Sequence, residues 1–129
     1  MNILLISANT ARSPYPVFPI GLGIIAGVLR RAGHAVTLFD LLQHNGAVDA
    51  AAAAARAGRP QLVGISIRNI DNVNILNEQR YVDTVRRLVS AVRAESDAVI
   101  LLGGCGFSIM PERILEAVGA DYGDRKSVV

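Results

Sequence analysis

Four strand-length runs of mostly branched aliphatic residues recur along the chain, each followed by a helix-length segment. They are NILLIS (2–7), AVTLFD (35–40), LVGISI (62–67) and AVILL (98–102). Runs this apolar suit strands buried on both faces, the situation of a parallel strand between two helix layers. A strand–helix alternation of this kind builds a parallel sheet with right-handed crossovers. The expected fold is therefore α/β, a doubly wound Rossmann- or flavodoxin-like sheet of four to five strands with helices on both faces. Two strand orders remain open, 2-1-3-4-5 and 3-2-1-4-5.

The segments between the runs read as helices. Residues 21–32 are apolar almost all round, so this helix is expected to be buried, and Gly33-His34 ends it. Residues 47–57 form an alanine-rich helix stopped by Gly58 and Pro60. Residues 78–95 carry an apolar stripe of Tyr81, Val85, Leu88 and Val92, with Arg80, Arg86, Arg87 and Arg93 on the wet face. Asp83 and Arg87 are placed to pair at i,i+4. Pro111 suits the first turn of a last helix reaching Val118. A fifth strand begins over residues 120–122. It gives way to the charged, unpatterned residues 124–129, so the domain is read as residues 1–123 with a closing segment missing.

At 129 residues the chain fits one domain. Its net charge of +2 is too small to suggest a nucleic-acid partner. Its single cysteine, Cys105, permits no internal disulfide and no cysteine-based metal site, which makes a reducing cytoplasm the expected compartment. No run approaches the roughly 20 apolar residues that span a bilayer. The first apolar run is strand-length and lacks the basic leader of a signal peptide.

In open α/β sheets ligands bind outside the carboxyl ends of the strands. That rule gathers residues 8–20, 68–77 and 103–110 around one site. Gly103, Gly104 and Gly106 follow a buried strand and are read as a ligand wall rather than a plain turn. Ser66 has two readings, a small core residue bonded to backbone or a hydrogen-bonding partner for a ligand. Arg68, Asn69, Asp71, Asn72 and Asn74 cluster just above it, and asparagines suit ligands rich in amides. Cys105 is read as a small buried turn residue, His34 as lying at the opposite edge, and His44 as solvated beyond an edge strand. Gly21-Leu22-Gly23-Ile24-Ile25-Ala26 matches the dinucleotide pattern GxGxxA, with Asp40 near the spacing of a ribose-binding acid. A long proline-bearing loop separates it from the first strand, which argues instead for glycines that bring helix and sheet close. No nucleophile–base constellation, carboxylate pair or metal-ligand spacing is present.

Several segments together resemble one family. Val17-Phe18-Pro19-Ile20-Gly21-Leu22, Ala32-Gly33-His34-Ala35-Val36 and Asp40 resemble the start of cobalamin-binding domains in B12-dependent radical SAM proteins. Gly64-Ile65-Ser66-Ile67-Arg68-Asn69-Ile70-Asp71-Asn72 is similar to the third-strand loop of its lipid-biosynthesis B12-binding/radical SAM subgroup. Residues 103–112 are similar to that subgroup's GGxGFSxxPE segment, and residues 119–123 to the approach to its fifth strand. The resemblance covers about residues 1–123.

It implies a Rossmann-like domain that holds the corrin above the sheet, with the nucleotide tail running down between sheet and helices. It implies Gly21, Ser66, Ile67, Arg68, Asn69, Asn72, Gly103, Gly104, Cys105, Gly106 and Phe107 as cofactor-binding residues. S-adenosylmethionine and a [4Fe-4S] cluster are expected only in a further C-terminal domain, which would also meet a small-molecule or lipid substrate. Two family features are absent: the DxHxxG motif that supplies a histidine to cobalt, and CxxxCxxC for the cluster. The resulting expectation is a cobalamin-binding module that is not catalytic alone and serves methyl transfer or related radical chemistry. The alternatives are a nucleotide-binding domain of a dehydrogenase or glycosyltransferase, and a non-catalytic interaction domain of flavodoxin-like fold.

Overall fold

The computed structural model describes residues 1–70 and 81–125. Five strands, β1 (Asn2–Ser7), β2 (Ala35–Asp40), β3 (Leu62–Ser66), β4 (Val99–Gly103) and β5 (Tyr122–Gly123), alternate with four helices. The helices are α1 (Ile20–Arg31), α2 (Val48–Gly58), α3 (Tyr81–Glu95) and α4 (Pro111–Val118). All strand pairs are parallel and the order is β2-β1-β3-β4-β5, which selects the flavodoxin-like alternative. Two single-turn 3₁₀ segments, Leu41–His44 and Phe107–Ile109, stand where the sequence suggested only loop. The expected residues 78–80 of the long helix lie outside the described residues.

The pleat divides the sheet's side chains into two unequal layers. Leu4, Ile6, Val63, Ile65, Ile100 and Leu102 meet Ala51 and Ala55 of α2, Val85, Leu88, Val89 and Val92 of α3, and Ile114 and Val118 of α4. On the other face, Ile3 and Leu5 meet only Leu22 and Ala26 of α1 among fully buried residues. The expectation of a buried α1 is therefore corrected. Ile20, Ile24, Ile25 and Val28 are exposed, because the helix rests on the sheet along one narrow side. The expected Asp83–Arg87 pair is also corrected. Asp83 pairs with Arg86 at 3.0 Å, and the same guanidinium donates to Ala117 O, tying α3 to α4.

The end of α4 is fastened to the sheet by charge. Asp121 accepts from Ile100 N at 2.8 Å and pairs with Arg93 at 2.9 Å, and Arg93 also donates to Gly119 O. The Ile100 N–H, and then the Arg93 guanidinium, hold the Asp121 carboxyl below its usual range. A depressed carboxyl stabilises the fold above its unfolded value, and that contribution is lost as pH falls through the folded value. Asp121→Asn keeps an acceptor but loses the charge. Since the carboxylate is about one-third exposed, the expected cost is about 0.5–1 kcal/mol at neutral pH. Urea unfolding of both proteins against pH checks this: the gap should close in acid, below the ordinary carboxylate range.

Candidate functional site

Parallel register sets Asp40, Ser7, Ser66 and Gly103 side by side across four strands at the carboxyl edge. Their strand neighbours Phe39, Ile6, Ile65 and Leu102 belong to the layer under α2, α3 and α4, so this row faces the α1 side. Ser7 is buried, while Ser66 and Gly103 are half-buried. Asp40 accepts from Leu42 N through Oδ1, and its buried Oδ2 has no partner among the described residues. The order 2-1-3 reverses chain direction across the sheet between β1 and β3, the position where such sheets open a crevice. Ser7 and Ser66 stand on its two sides.

Below that row the same face carries Leu5, Gly64, Leu101 and Tyr122, then Ile3, Leu62 and Val99. α1 covers the β1 part. Leu5 covers Gly64, no described element covers the remaining positions, and Val99 and Tyr122 are 42% and 64% exposed. Arg30 of α1 donates to Val36 O at 2.8 Å, which fixes the flank of the helix that faces β2. At 100° per residue, Gly21, Ile25 and Val28 fall on the opposite flank, toward β3. Ile25 and Val28 are exposed, and a Cβ on Gly21 would meet nothing within 4 Å. The result is an open trough. Its floor, among the described residues, is Leu62, Val99 and Leu101, lowered at Gly103, and its sides are the α1 flank and Tyr122; Gly64 is buried beneath Leu5, whose Cδ2 would lie 2.8 Å from a Cβ there.

The glycine-rich loop is clasped to the loop after β3. Gly104 has φ +97°, and a Cβ there would overlap Ile67 O and lie 2.9 Å from Ile67 N. A Cβ on Gly106 would lie 2.9 Å from Arg68 C and O. Ile67 N donates to Gly103 O at 2.8 Å, and Gly106 N to Ile67 O at 2.9 Å. Gly104 and Gly106 are thus required for backbone packing between the two loops, whatever their backbone also meets. Gly103 differs, because its Cβ would meet only Asp124 O at 3.9 Å.

Other expected residues divide in the same way. Ile67 and Phe107 are 1% exposed and lie in the core layer, with the Phe107 ring pressed on Gly123. Their side chains cannot meet a ligand above the edge, which corrects that part of the expectation. Arg68 is exposed beside the crevice, and Asn69 is half-buried. Cys105 is exposed rather than buried, with Sγ 3.4 Å from Arg68 O. Asn72, like Asp71 and Asn74, lies outside the described residues. His34 is at the amino edge, 3.1 Å from the Met1 amino group. His44 stacks on Phe39 of the edge strand at 4.1 Å and bonds Asp40 O. Gly21 and Gly23 sit inside α1, whose first turn follows Pro19 and not β1, so the GxGxxA match lacks the strand-to-helix turn it needs.

Comparison with known proteins decides among the readings of this edge. The family model of the B12 binding domain matches residues 6–129. This chain belongs to the B12-binding domain family. Over 123 residues the domain is 31% identical to tryptophan 2-C-methyltransferase of Streptomyces laurentii, covering 95% of this chain and 20% of that protein. It superposes with a TM-score of 0.82, at 31% identity, on the radical S-adenosylmethionine methyltransferase TsrM of Kitasatospora setae. That structure has cobalamin and a [4Fe-4S] cluster bound, and the match covers 94% of this chain and 21% of that one. Chemotaxis protein CheY4 of Vibrio cholerae, 17% identical with a TM-score of 0.54 over 98% of this chain and 87% of that one, shares the fold alone.

The cobalamin-binding reading of the sequence therefore stands, and the dinucleotide reading is not favoured. Sequence reasoning missed Leu101, Tyr122 and the exposed flank of α1. A signal was available for one of them, because Leu101 and Gly103 are two apart in β4 and so share a face.

Proposed function

We infer that this B12-binding domain holds cobalamin in two parts. The corrin rests on the carboxyl edge over Ser66, Arg68, Asn69 and the backbone of residues 103–106. The nucleotide tail descends the trough between the α1 flank and Tyr122. The observation that carries this reading is the pairing of a polar edge with a trough whose floor drops at Gly103. The groups present suit the cofactor. Corrin amides need donors and acceptors, which Ser66, Asn69 and the loop backbone supply. A ribose and flat base need a shallow, largely apolar bed, which Leu62, Leu101 and Tyr122 supply. Cobalamin held here would supply methyl-carrier chemistry for a substrate held by another part of a larger enzyme.

This chain's own residues orient the ring and keep water from one side of it. The Arg68 guanidinium offers no lone pair to cobalt, His34 lies at the opposite edge, and His44 sits against the outer strand β2, away from the β1–β3 crevice. Among the described residues, neither histidine would therefore serve as a cobalt ligand.

The chain spans about one-fifth of the length of the relatives it matches. We infer that it serves a larger radical SAM methyltransferase. S-adenosylmethionine, the iron–sulfur cluster and a small-molecule or lipid substrate would then bind outside residues 1–123. No described helix is long and apolar enough to cross a membrane. The exposed Cys105 thiol fits a reducing compartment such as the cytoplasm.

Cobinamide, which keeps the corrin but lacks the nucleotide tail, tests the two-part reading. Titrations followed in the corrin absorbance bands should show cobalamin binding at least about tenfold more tightly, a difference of about 1.4 kcal/mol. Equal affinity for the two would remove the tail from the trough.

A further inference from the structure

We propose that Arg12 is a positioning residue: it latches the first loop to the corner after β2 and so keeps the β1–β3 crevice clear for the corrin. The proposal rests on the cobalamin reading above. The first loop leaves β1 at the crevice itself, where Ala8 N donates to Ser66 O at 3.0 Å. From there the chain turns outward, toward the edge strand. Buried Asn9 sets the turn by accepting from Ala11 N at 3.1 Å. One guanidinium nitrogen of Arg12 then donates to Leu42 O at 2.8 Å and to Asn45 Oδ1 at 2.9 Å.

The receiving corner is itself built to stay in place. Asp40 Oδ1 accepts from Leu42 N, and Asn45 adopts a left-handed conformation at φ 53°. Gly46 N closes the turn onto Leu41 O at 2.9 Å, and Leu41 and Leu42 are buried. A Cβ on Gly46 would sit 3.4 Å from the Thr10 methyl, so the loop lies directly against this corner. β2 is the edge strand, so the corner lies on the side of β1 away from β3. Among the described residues, Arg12 supplies the side-chain hydrogen bonds that join residues 10–19 to another element, and without them the loop is free to swing over Ser66. A loop sampling that position competes with the ligand and lowers its affinity by the fraction of time the crevice is closed.

Three versions of the 129-residue chain test this: wild type, Arg12→Ala and Arg12→Lys. Hydrogen–deuterium exchange without ligand should be faster across residues 8–17 in Arg12→Ala, with β1 and β3 unchanged. Cobalamin affinity should fall about tenfold in Arg12→Ala, with a melting temperature close to wild type. The induced circular dichroism of the corrin bands should change with it. Arg12→Lys, which keeps a donor for Leu42 O, should recover most of both signals. Wild-type exchange, affinity and corrin dichroism in a folded Arg12→Ala protein would overturn the proposal. If Arg12→Ala does not fold, Asn45→Ala, which removes one of the two acceptors, must show the same changes in smaller measure or the proposal fails. A wild-type chain that binds no cobalamin refutes the cofactor reading instead, and the exchange data then decide the latch by themselves.

Discussion

Gly104→Ala is expected to destabilise the domain by about 3 kcal/mol or more, and to weaken cobalamin binding only through that loss of structure. Two costs combine. A non-glycine residue at positive φ costs of order 1–3 kcal/mol. The new Cβ also has nowhere to go, since it meets the backbone of Ile67 rather than the yielding end of a side chain. Relief requires pulling the glycine loop off β3, which breaks the bonds Ile67 N–Gly103 O and Gly106 N–Ile67 O. Gly119→Ala is the matched control. Its φ is +70°, but a Cβ there meets nothing within 4 Å, so it should cost only about 1–2 kcal/mol. Urea unfolding of the two variants beside wild type separates conformational strain from overlap. Equal costs would mean that the two loops are less tightly clasped than described.

Gly103→Leu should do the reverse: the fold stays and the cofactor goes. The Gly103 backbone has an ordinary negative or extended φ, and its Cβ would be in normal contact with Asp124 O. Strand β4 therefore accepts a side chain, and the stability change should stay within about 1 kcal/mol. The leucine would rise from the floor of the trough next to Ser66, where corrin edge and tail are proposed to meet. Affinity for cobalamin should drop at least about a hundredfold, or about 2.7 kcal/mol. Circular dichroism and thermal melting report the fold, and corrin absorbance reports binding. A folded Gly103→Leu protein with wild-type affinity would move the cofactor off this face.

The contrast between these neighbouring glycines shows what a sequence can and cannot reveal here. Aliphatic runs disclose the strands because burial on two faces needs apolar side chains at every position. Pro111 and the Gly119 stop disclose α4 for equally local reasons. Which of Gly103, Gly104 and Gly106 faces a ligand depends on where another loop lies, and no local pattern encodes that. Ser66 and Ile67 make the same point. They are adjacent and both were expected at the site, but the pleat sends Ser66 to the open face and Ile67 into the core. Phe107 was expected beside the cofactor, and the 3₁₀ turn carries it inward instead.

The trough itself was hidden for a related reason. Hydrophobicity indicates that Ile25 and Val28 of α1 favour removal from water, but not what removes them. Once the order β2-β1-β3-β4-β5 is known, α1 proves to cover only part of its face, and the exposed residues acquire a location. The family resemblance reached the cofactor before the geometry did, because Gly64–Asn72 and the 103–112 segment carry it in contiguous stretches. It could not sort those residues by the face they present.

Titration of the wild-type chain with hydroxocobalamin, followed in the corrin absorbance bands, tests the central claim most directly. The account predicts saturable binding of one cobalamin per chain, with little or no binding of NAD or a nucleotide sugar under the same conditions. Binding of either nucleotide with no response to cobalamin would contradict it.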